Sequence, residues 1–459
     1  MNQVIDIIDE GKINQILENT KSSSQEEILQ ILQKAEKKKG LSLKEIGFLL
    51  QTKDQDLWDK IFSVAHQIKK DIYGERIVFF APLYISSFCV NDCEYCAFHC
   101  RNKTPRMKLS LKEVEEQTKQ LIGMGHKRLL LEFGEHPTND IDYVVEVIEK
   151  IYNTKQENGE IRRANINVAA TTVEDYRKLK AVGIGTYQLF QETYHRETYQ
   201  KMHPRGPKSD YERQIFAHDR AFEAGIDDVG IGVLFGLYDY KFEVLALVSH
   251  AQYLEKKHNV GPHTLSVPRF QPAETVDISL EHKVSEDDLL KIIAVLRLAV
   301  PYTGMIISTR ERAEIREKAF EIGISQTSAA SRTSPGGYGS EENLEQFSLA
   351  DHRNLDEVIL GVMKKGLLPS FCTACYREGR TGEEFMHIAK PGEIHNLCRP
   401  NAILTLKEYL EDYATPEVKG LGEKIIQKYL VQISDANNRQ KETEDKLRRI
   451  VKGERDLYF

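Results

Sequence analysis

The chain has 459 residues, of which 41% are apolar and 29% charged, and a formal net charge of −7. This is the composition of a folded protein rather than a disordered one, and its acidic balance gives no general attraction to nucleic-acid phosphates or anionic lipid. No stretch approaches the roughly 20 uninterrupted apolar residues of a membrane span, so neither nucleic acid nor membrane is an expected partner.

The opening segment, MNQVIDIIDEGKINQILENTKSSS, contains acids and lacks a basic segment followed by a long apolar run, so no secretory signal is expected. The expected location is the cytoplasm, where clustered cysteines more often bind metal than form disulfides. Residues 1–75 read as a helical extension. QEEILQILQKAEKKKG and SLKEIGFLLQ place apolar residues at spacings of three and four, and Gly40 is a stop signal. Such an extension suits a lid or cap.

From Arg76 onward, strand-like apolar runs alternate with charged, helix-periodic stretches. The strands are expected in IVFFAPLY, RLLLEF, NINVAA, TYQLFQ, DDVGIGVLF, TLSVPRF, GMIIST and ISQTSA. Between them, LKEVEEQTKQLIGM, VEDYRKLKAVG, YERQIFAHDRAFEAG and EDDLLKIIAVLRL read as helices. Eight strands with seven intervening helices predict an α/β fold, a (β/α)8 TIM-type barrel over residues 76–350. Residues 351–459 form a mostly helical C-terminal region ending in a charged tail.

Four of the seven cysteines fall within SSFCVNDCEYCAFHC, directly after the first strand and so at the mouth of the barrel. Cys89, Cys93 and Cys96 have the spacing C-x3-C-x2-C. Three such thiolates fit three irons of a four-iron cluster or, equally on spacing, part of a zinc site. Cys100 fits neither pattern and is expected to be a small, partly buried residue. The other three, Cys372, Cys375 and Cys398, have the spacing C-x2-C-x22-C with His387 and His395 between them. Spacing alone favours zinc there.

The first cluster, with Tyr95 directly before its third cysteine on a loop leaving the first strand, resembles the radical S-adenosylmethionine (SAM) superfamily. The resemblance implies a 4Fe–4S cluster on Cys89, Cys93 and Cys96 whose open iron binds SAM and whose electron cleaves it to methionine and a 5′-deoxyadenosyl radical. It also implies SAM contacts at Tyr95, at Gly134 and Glu135 in LLLEFGEHP, at Gln191 and Glu192 in LFQETYHRETY, and at Gly230 and Gly232 in GIGVLFG. Phe133 stands where many members have glycine. On the residues alone, Gly134-Glu135 is also an ordinary βα turn, and GIGVLFG reads as a damaged dinucleotide loop except that its glycines lie inside a strand.

Over nearly the whole chain, through QETYHRETY, DDVGIGVLFGL, GPHTLSVPRF, SRTSPGGY and the cysteine tail, the sequence is similar to HydG, the family of tyrosine lyases that mature FeFe-hydrogenase. The resemblance implies cleavage of L-tyrosine to p-cresol and dehydroglycine, then formation of carbon monoxide and cyanide and export of an Fe(CO)2CN–cysteine unit. It implies an auxiliary 4Fe–4S cluster on Cys372, Cys375 and Cys398, with an additional iron (a 5Fe form) joined through bound L-cysteine and ligated by His263. A barrel interior then serves as a duct to a second cluster at the far end. A low-potential donor such as ferredoxin or flavodoxin and the other hydrogenase maturases are the implied partners. The related family of 2-iminoacetate synthases, which serve thiazole synthesis, shares the barrel and the tyrosine chemistry but lacks the C-terminal cluster domain.

Three readings stay open on the residues. His263, at the start of strand six and opposite the mouth, is an iron ligand or a histidine that pins a loop. Ser308 and Arg310, at the end of strand seven in IISTRE, suit a tyrosine carboxylate, because arginine binds carboxylates bidentately; a structural ion pair is the competing role. KAEKKKG and NNRQKETEDKLRRIVKGERD are solvated helix faces or docking surfaces. A zinc-stabilised, non-catalytic assembly scaffold is the alternative from a different functional class.

Overall fold

The computed structural model describes residues 6–273, 275–276, 278–339, 345–434 and 438–459. Eight parallel strands close into a barrel: β1 (Arg76–Ser86), β2 (Arg128–Phe133), β3 (Arg163–Asn167), β4 (Tyr187–Gln188), β5 (Val229–Gly232), β6 (Thr264–Ser266), β7 (Gly304–Ile307) and β8 (Gln326–Ser328). The strands pair in chain order, and β8 returns to β1 with Val78 opposite Gln326 and Phe80 opposite Ser328. All eight expected strands are present, each joined to the next through helical segments. A short antiparallel pair, Lys155–Gln156 with Gly159–Glu160, lies between β2 and β3 and was not expected.

β1 is eleven residues long and almost wholly buried. Its second half, Ala81–Ser86, pairs with β2. On the same edge, Arg76–Val78 pair with a ninth parallel strand, β9 (Leu368–Ser370). The C-terminal region is thereby attached to the barrel floor. It continues through the helices Ala374–Arg377, Gly382–Ala389 and Ile394–Asp412 and ends in the helix Arg439–Val451. That last helix covers most of the charged stretch 437–456; Asn437 lies outside the described residues.

The N-terminal helices are not a lid. Gln55–Tyr73 packs against the outer-ring helices Glu286–Ala299 and Ala313–Ile322, and Leu43–Gln51 packs against Tyr240–His258. Their apolar faces bury Trp58, Ile61, Ile68 and Leu49 against those helices, and none of their residues lines the mouth. An amphipathic pattern requires something to cover, and here that is the flank of the helix ring. Gly40, in the left-handed region at φ +77°, follows the helix Gln25–Ala35 by several residues and packs on the carbonyl of Ala299.

The expected helix over 211–225 is broken at Phe216 into Tyr211–Ile215 and Ala217–Glu223. The Arg213 carbonyl, which a continuous helix would use internally, accepts from the Arg220 guanidinium at 2.6 Å.

A buried charge locks the last barrel unit. Arg316, in the helix Ala313–Ile322, is fully buried and donates to Asp351, to the Thr327 hydroxyl at 2.8 Å and to the Ser328 carbonyl. Arg353 binds the same carboxylate at 2.8 Å. Removing one partner of a buried pair leaves an uncompensated charge. Asp351→Ala should therefore lower the unfolding free energy by about 3 kcal/mol or more in a urea titration; a loss under about 1 kcal/mol would mean that Arg316 is held by the strand oxygens alone.

Candidate functional site

The loop after β1 is shaped by the end of β2. Gly134 lies so close to it that a Cβ there would stand 2.2 Å from the Phe88 carbonyl, and Val90 donates to the Glu135 carbonyl at 2.7 Å. The Glu135 carboxylate accepts from Asn91 and from Arg213, each at 2.7 Å. The Asn91 side chain also accepts the Lys208 amide at 2.9 Å. Asp92, buried within the loop, binds Arg101 at 2.7 Å. These bonds turn Cys89, Cys93 and Cys96 toward one another.

Their thiols sense each other. Burial pushes the Cys96 thiol up to about 11, with Cys89 adding to the shift. Burial likewise raises Cys93, opposed by Lys208 and reinforced by Cys96 and Cys89. Three crowded, buried thiolates are stable only beside a compensating cation, and metal coordination supplies one. Among the described residues no group of three or more His, Cys, Asp or Glu is placed to hold a single metal ion. A multi-iron cluster spreads its thiolates over several metals, whereas zinc ligands must converge to about 2.3 Å from one ion. Cys100 is exposed rather than partly buried: its amide donates to Asn91 while its side chain faces outward.

Two adjoining cavities open at this mouth. One, about 720 Å³, lies over the cysteine loop and is bordered by Gly134, Glu135, Ala169 and Lys208. The other, about 950 Å³, reaches into the barrel between Ser308, Arg310, Phe190 and Phe347, down to Phe80, Leu130 and Ile306. Tyr84, Tyr95, Cys96, Glu132, Glu192 and Gln346 line both. The Tyr95 hydroxyl meets His203 Nε2 at 2.8 Å. Tyr84 donates to Gln346 at 2.7 Å, and Gln346 faces the Cys96 sulfur at 3.5 Å.

The charges at the mouth are unequally paired. Glu192, held at φ +67°, accepts Lys208 Nζ at 2.9 Å. Burial alone would lower the Lys208 ammonium, but Glu192 and Cys93 outweigh it and hold it raised. Arg310 has no ion pair among the described residues, and its guanidinium lies 3.3 Å over the Phe347 ring. The competing role of a structural ion pair is thus not what the side chain does. Ser308 borders the same cavity.

Three of the positions implied to contact SAM, Gln191, Gly230 and Gly232, border neither cavity. Gln188, Phe190 and Glu192 face the cavity, so alternation turns the intervening Gln191 away; it is buried and lines neither cavity. Gly230 and Gly232 instead make room inside the barrel. A Cβ on Gly230 would stand 2.4 Å from the Thr264 hydroxyl, and one on Gly232 2.8 Å from the Phe190 ring. Those glycines admit neighbouring side chains, and neither lines a cavity.

The second cysteine set lies at the opposite end of β1. Cys372 follows β9, Cys375 lies in Ala374–Arg377, and Cys398 lies in Ile394–Asp412 two residues before an internal Pro400. Burial alone would lower the guanidinium of Arg76, the first residue of β1, but Cys398, Tyr73 and Cys372 outweigh it and hold it raised. Burial, then Cys398 and Cys372, push the Cys375 thiol up to about 12. The chain's last residues strap over this set: Arg377 pairs with Asp456 at 2.5 Å, and Phe459 donates to Asn401 at 2.9 Å. His263 is on this side, its Nδ1 3.2 Å from Asp228 and its ring stacked on Phe385 at 4.0 Å. His387 is exposed and His395 is bonded to the Gly392 carbonyl at 2.6 Å, so neither histidine joins the thiols in a zinc set.

Sequence reasoning missed Lys208, Gln346 and Glu132. Only Glu132 carried a signal, as a lone acid at an inward position of the apolar strand RLLLEF. Lys208 and Gln346 reach the mouth from loops far away in sequence.

The profile of the radical SAM superfamily matches residues 83–249, and that of the Biotin and Thiamin Synthesis associated domain matches residues 266–368. The chain is 30% identical over 335 residues to the 2-iminoacetate synthase of Salmonella typhimurium, an alignment covering 72% of this chain and 86% of that one. A crystal structure of HydG, described as a maturase of the FeFe-hydrogenase, is similar at 53% identity and TM-score 0.96, over 99% of this chain and 100% of that one. HydG from Carboxydothermus hydrogenoformans is similar at 41% identity and TM-score 0.84, over 95% and 97%. The chain belongs to the HydG family of FeFe-hydrogenase maturases, within the radical SAM superfamily.

Proposed function

We propose that this chain is a cytoplasmic tyrosine lyase that splits the Cα–Cβ bond of L-tyrosine into p-cresol and dehydroglycine. The latter goes on to carbon monoxide and cyanide, exported as an Fe(CO)2CN–cysteine unit for the hydrogenase H-cluster. One arrangement carries the reading: a three-cysteine loop and an unpaired arginine share the mouth, and a second three-cysteine set lies at the other end of the same strand.

Superfamily membership brings a 4Fe–4S cluster and SAM, which together supply a 5′-deoxyadenosyl radical when held at Cys89, Cys93 and Cys96. The Tyr95, Gly134, Glu135 and Glu192 positions border the space for SAM. Arg310 offers its planar fork to the tyrosine carboxylate, with Ser308 beside it. Phe80, Leu130 and Ile306 pack against one another beneath, keeping water from the reacting atoms. The same three side chains narrow the route toward the floor.

At the floor, Cys372, Cys375 and Cys398 are the ligands for an auxiliary cluster. Asp228 lies 3.2 Å from His263 Nδ1, which leaves Nε2 as the nitrogen for an additional iron linked through L-cysteine. A low-potential one-electron donor such as ferredoxin or flavodoxin, and the other maturases, are the partners this chemistry needs.

Anaerobically reconstituted, dithionite-reduced protein given SAM and L-tyrosine should yield p-cresol by chromatography and iron-bound carbonyl bands in the infrared. p-Cresol without carbonyl bands would favour a 2-iminoacetate synthase, and neither product at full iron content would remove the lyase reading. Arg310→Lys, which keeps the charge but loses the fork, should cut kcat/KM for tyrosine by about 10- to 100-fold; an unchanged value would move the carboxylate elsewhere. Cys372→Ser with Cys375→Ser should abolish the carbonyl bands while p-cresol persists, and bands of undiminished intensity would give the C-terminal region another role.

A further inference from the structure

The strand RLLLEF places one ionisable side chain, Glu132, on the inward face of β2 at its mouth end. Glu132 is among the few residues that line both cavities, so it lies on the seam between the cysteine loop and the Arg310 side of the barrel. The only other acid on that seam, Glu192, is taken by Lys208. Among the described residues the Glu132 carboxyl has no hydrogen-bond or ion-pair partner. A half-buried carboxyl that lines a cavity without a partner is poorly compensated, and such groups collect where a ligand completes them.

The lyase reading says what would arrive. A free amino acid enters as a zwitterion. With its carboxylate on Arg310, its ammonium group reaches toward the seam, and on the lyase reading the 5′-deoxyadenosyl radical takes its hydrogen atom from that nitrogen. An ammonium is a poor donor of a hydrogen atom, since the electron-deficient nitrogen radical it leaves would still carry the positive charge. The nitrogen must first be a neutral amine.

We propose that Glu132 is a catalytic residue that takes this proton from the substrate ammonium group. The proposal rests on the tyrosine-lyase reading and deepens it. One N–H bond breaks heterolytically and one O–H bond forms: R–NH3+ and the carboxylate become R–NH2 and the carboxylic acid, and no electron changes hands. Arg310 and Glu132 then match the two charges of an α-amino acid, which defines the substrate class by both ends rather than by the side chain alone.

The surroundings suit the task. Burial pushes the Glu132 carboxyl up to about 8, with Arg310 opposing, Glu192 reinforcing and Lys208 opposing the shift. Tyr84, from β1, also faces it. A carboxyl raised in this way is a stronger base than an ordinary carboxylate, so taking a proton from an ammonium group is less uphill.

The test compares wild type, Glu132→Gln and Glu132→Asp as reconstituted holoenzymes of equal iron content. Glu132→Gln should lower kcat for p-cresol by about 100-fold near pH 7, and its residual rate should climb with pH as the substrate amine sheds its own proton. Glu132→Asp should recover part of the rate and the wild-type pH profile. Independently of turnover, calorimetric titration should show wild type binding L-tyrosine about 10-fold more tightly than 3-(4-hydroxyphenyl)propionate, which lacks the amine, and Glu132→Gln binding both about equally. The proposal is overturned if Glu132→Gln turns over at the wild-type rate with the same pH profile. It is also overturned if the variant is slow at every pH yet keeps the wild-type preference for the amine. If wild type itself makes no p-cresol, the lyase reading fails and this proposal with it, so the two failures are distinguishable.

Discussion

The length of β1 is the constraint on which the architecture depends. The other barrel strands run from two to six residues, whereas β1 has eleven. The excess lets one edge serve two neighbours, β9 at the floor and β2 toward the mouth. Because all of these pairings are parallel, the loop after β1 and the loop after β9 leave in the same direction from different heights. The eight residues from Val78, the partner of Ser370, to Ser86 separate the two cysteine sets by about 25 Å. No sheet of short strands would hold two such sites so far apart on one rigid element.

Between them the barrel narrows. Phe80, Leu130 and Ile306 meet across its middle, above a floor where Arg128 approaches Tyr376 and the Arg163 guanidinium lies 4.3 Å over the same ring. Each cysteine set therefore has its own electrostatic surroundings. Lys208 opposes the upward shift of Cys93 at the mouth, and Arg76 does the same for Cys372 at the floor. Cations beside crowded thiols reduce their repulsion and favour the deprotonated, metal-binding form.

The mouth shows how pairing selects what a ligand meets. Glu135 is tied to Asn91 and Arg213, and Glu192 to Lys208, so these groups set the shape of the loop and present little unsatisfied charge. Glu132 on β2 and Arg310 in the turn after β7 are left without ionic partners among the described residues, around one cavity. A pocket with one free cation and one free acid complements a zwitterion better than an isolated charge of either sign.

Much of this was legible in the chain. Apolar runs alternating with helix-periodic stretches marked every barrel strand, and the cysteine spacings marked both three-cysteine sets before any contact was known. The errors are equally physical. An amphipathic helix shows that it covers something but not what, so the N-terminal helices were expected at the mouth rather than on the flank. Alternation separates Gln191 from Glu192 only once the strand's facing is known. The glycines of β5 signal a close approach without naming the approaching atom, which is Thr264 for one and Phe190 for the other.

What the sequence determined by itself is local chemistry: which residues are strand, helix or turn, and which thiols lie close enough along the chain to share a metal. Tertiary structure decided everything that depends on distant partners: β9 beside β1, Lys208 occupying Glu192, and Arg310 and Glu132 left free. The reason is that spacing and propensity act over a few residues. Whether a charge is satisfied depends on segments beyond that reach, as with Lys208 sixteen residues from Glu192, brought together only when the barrel closes.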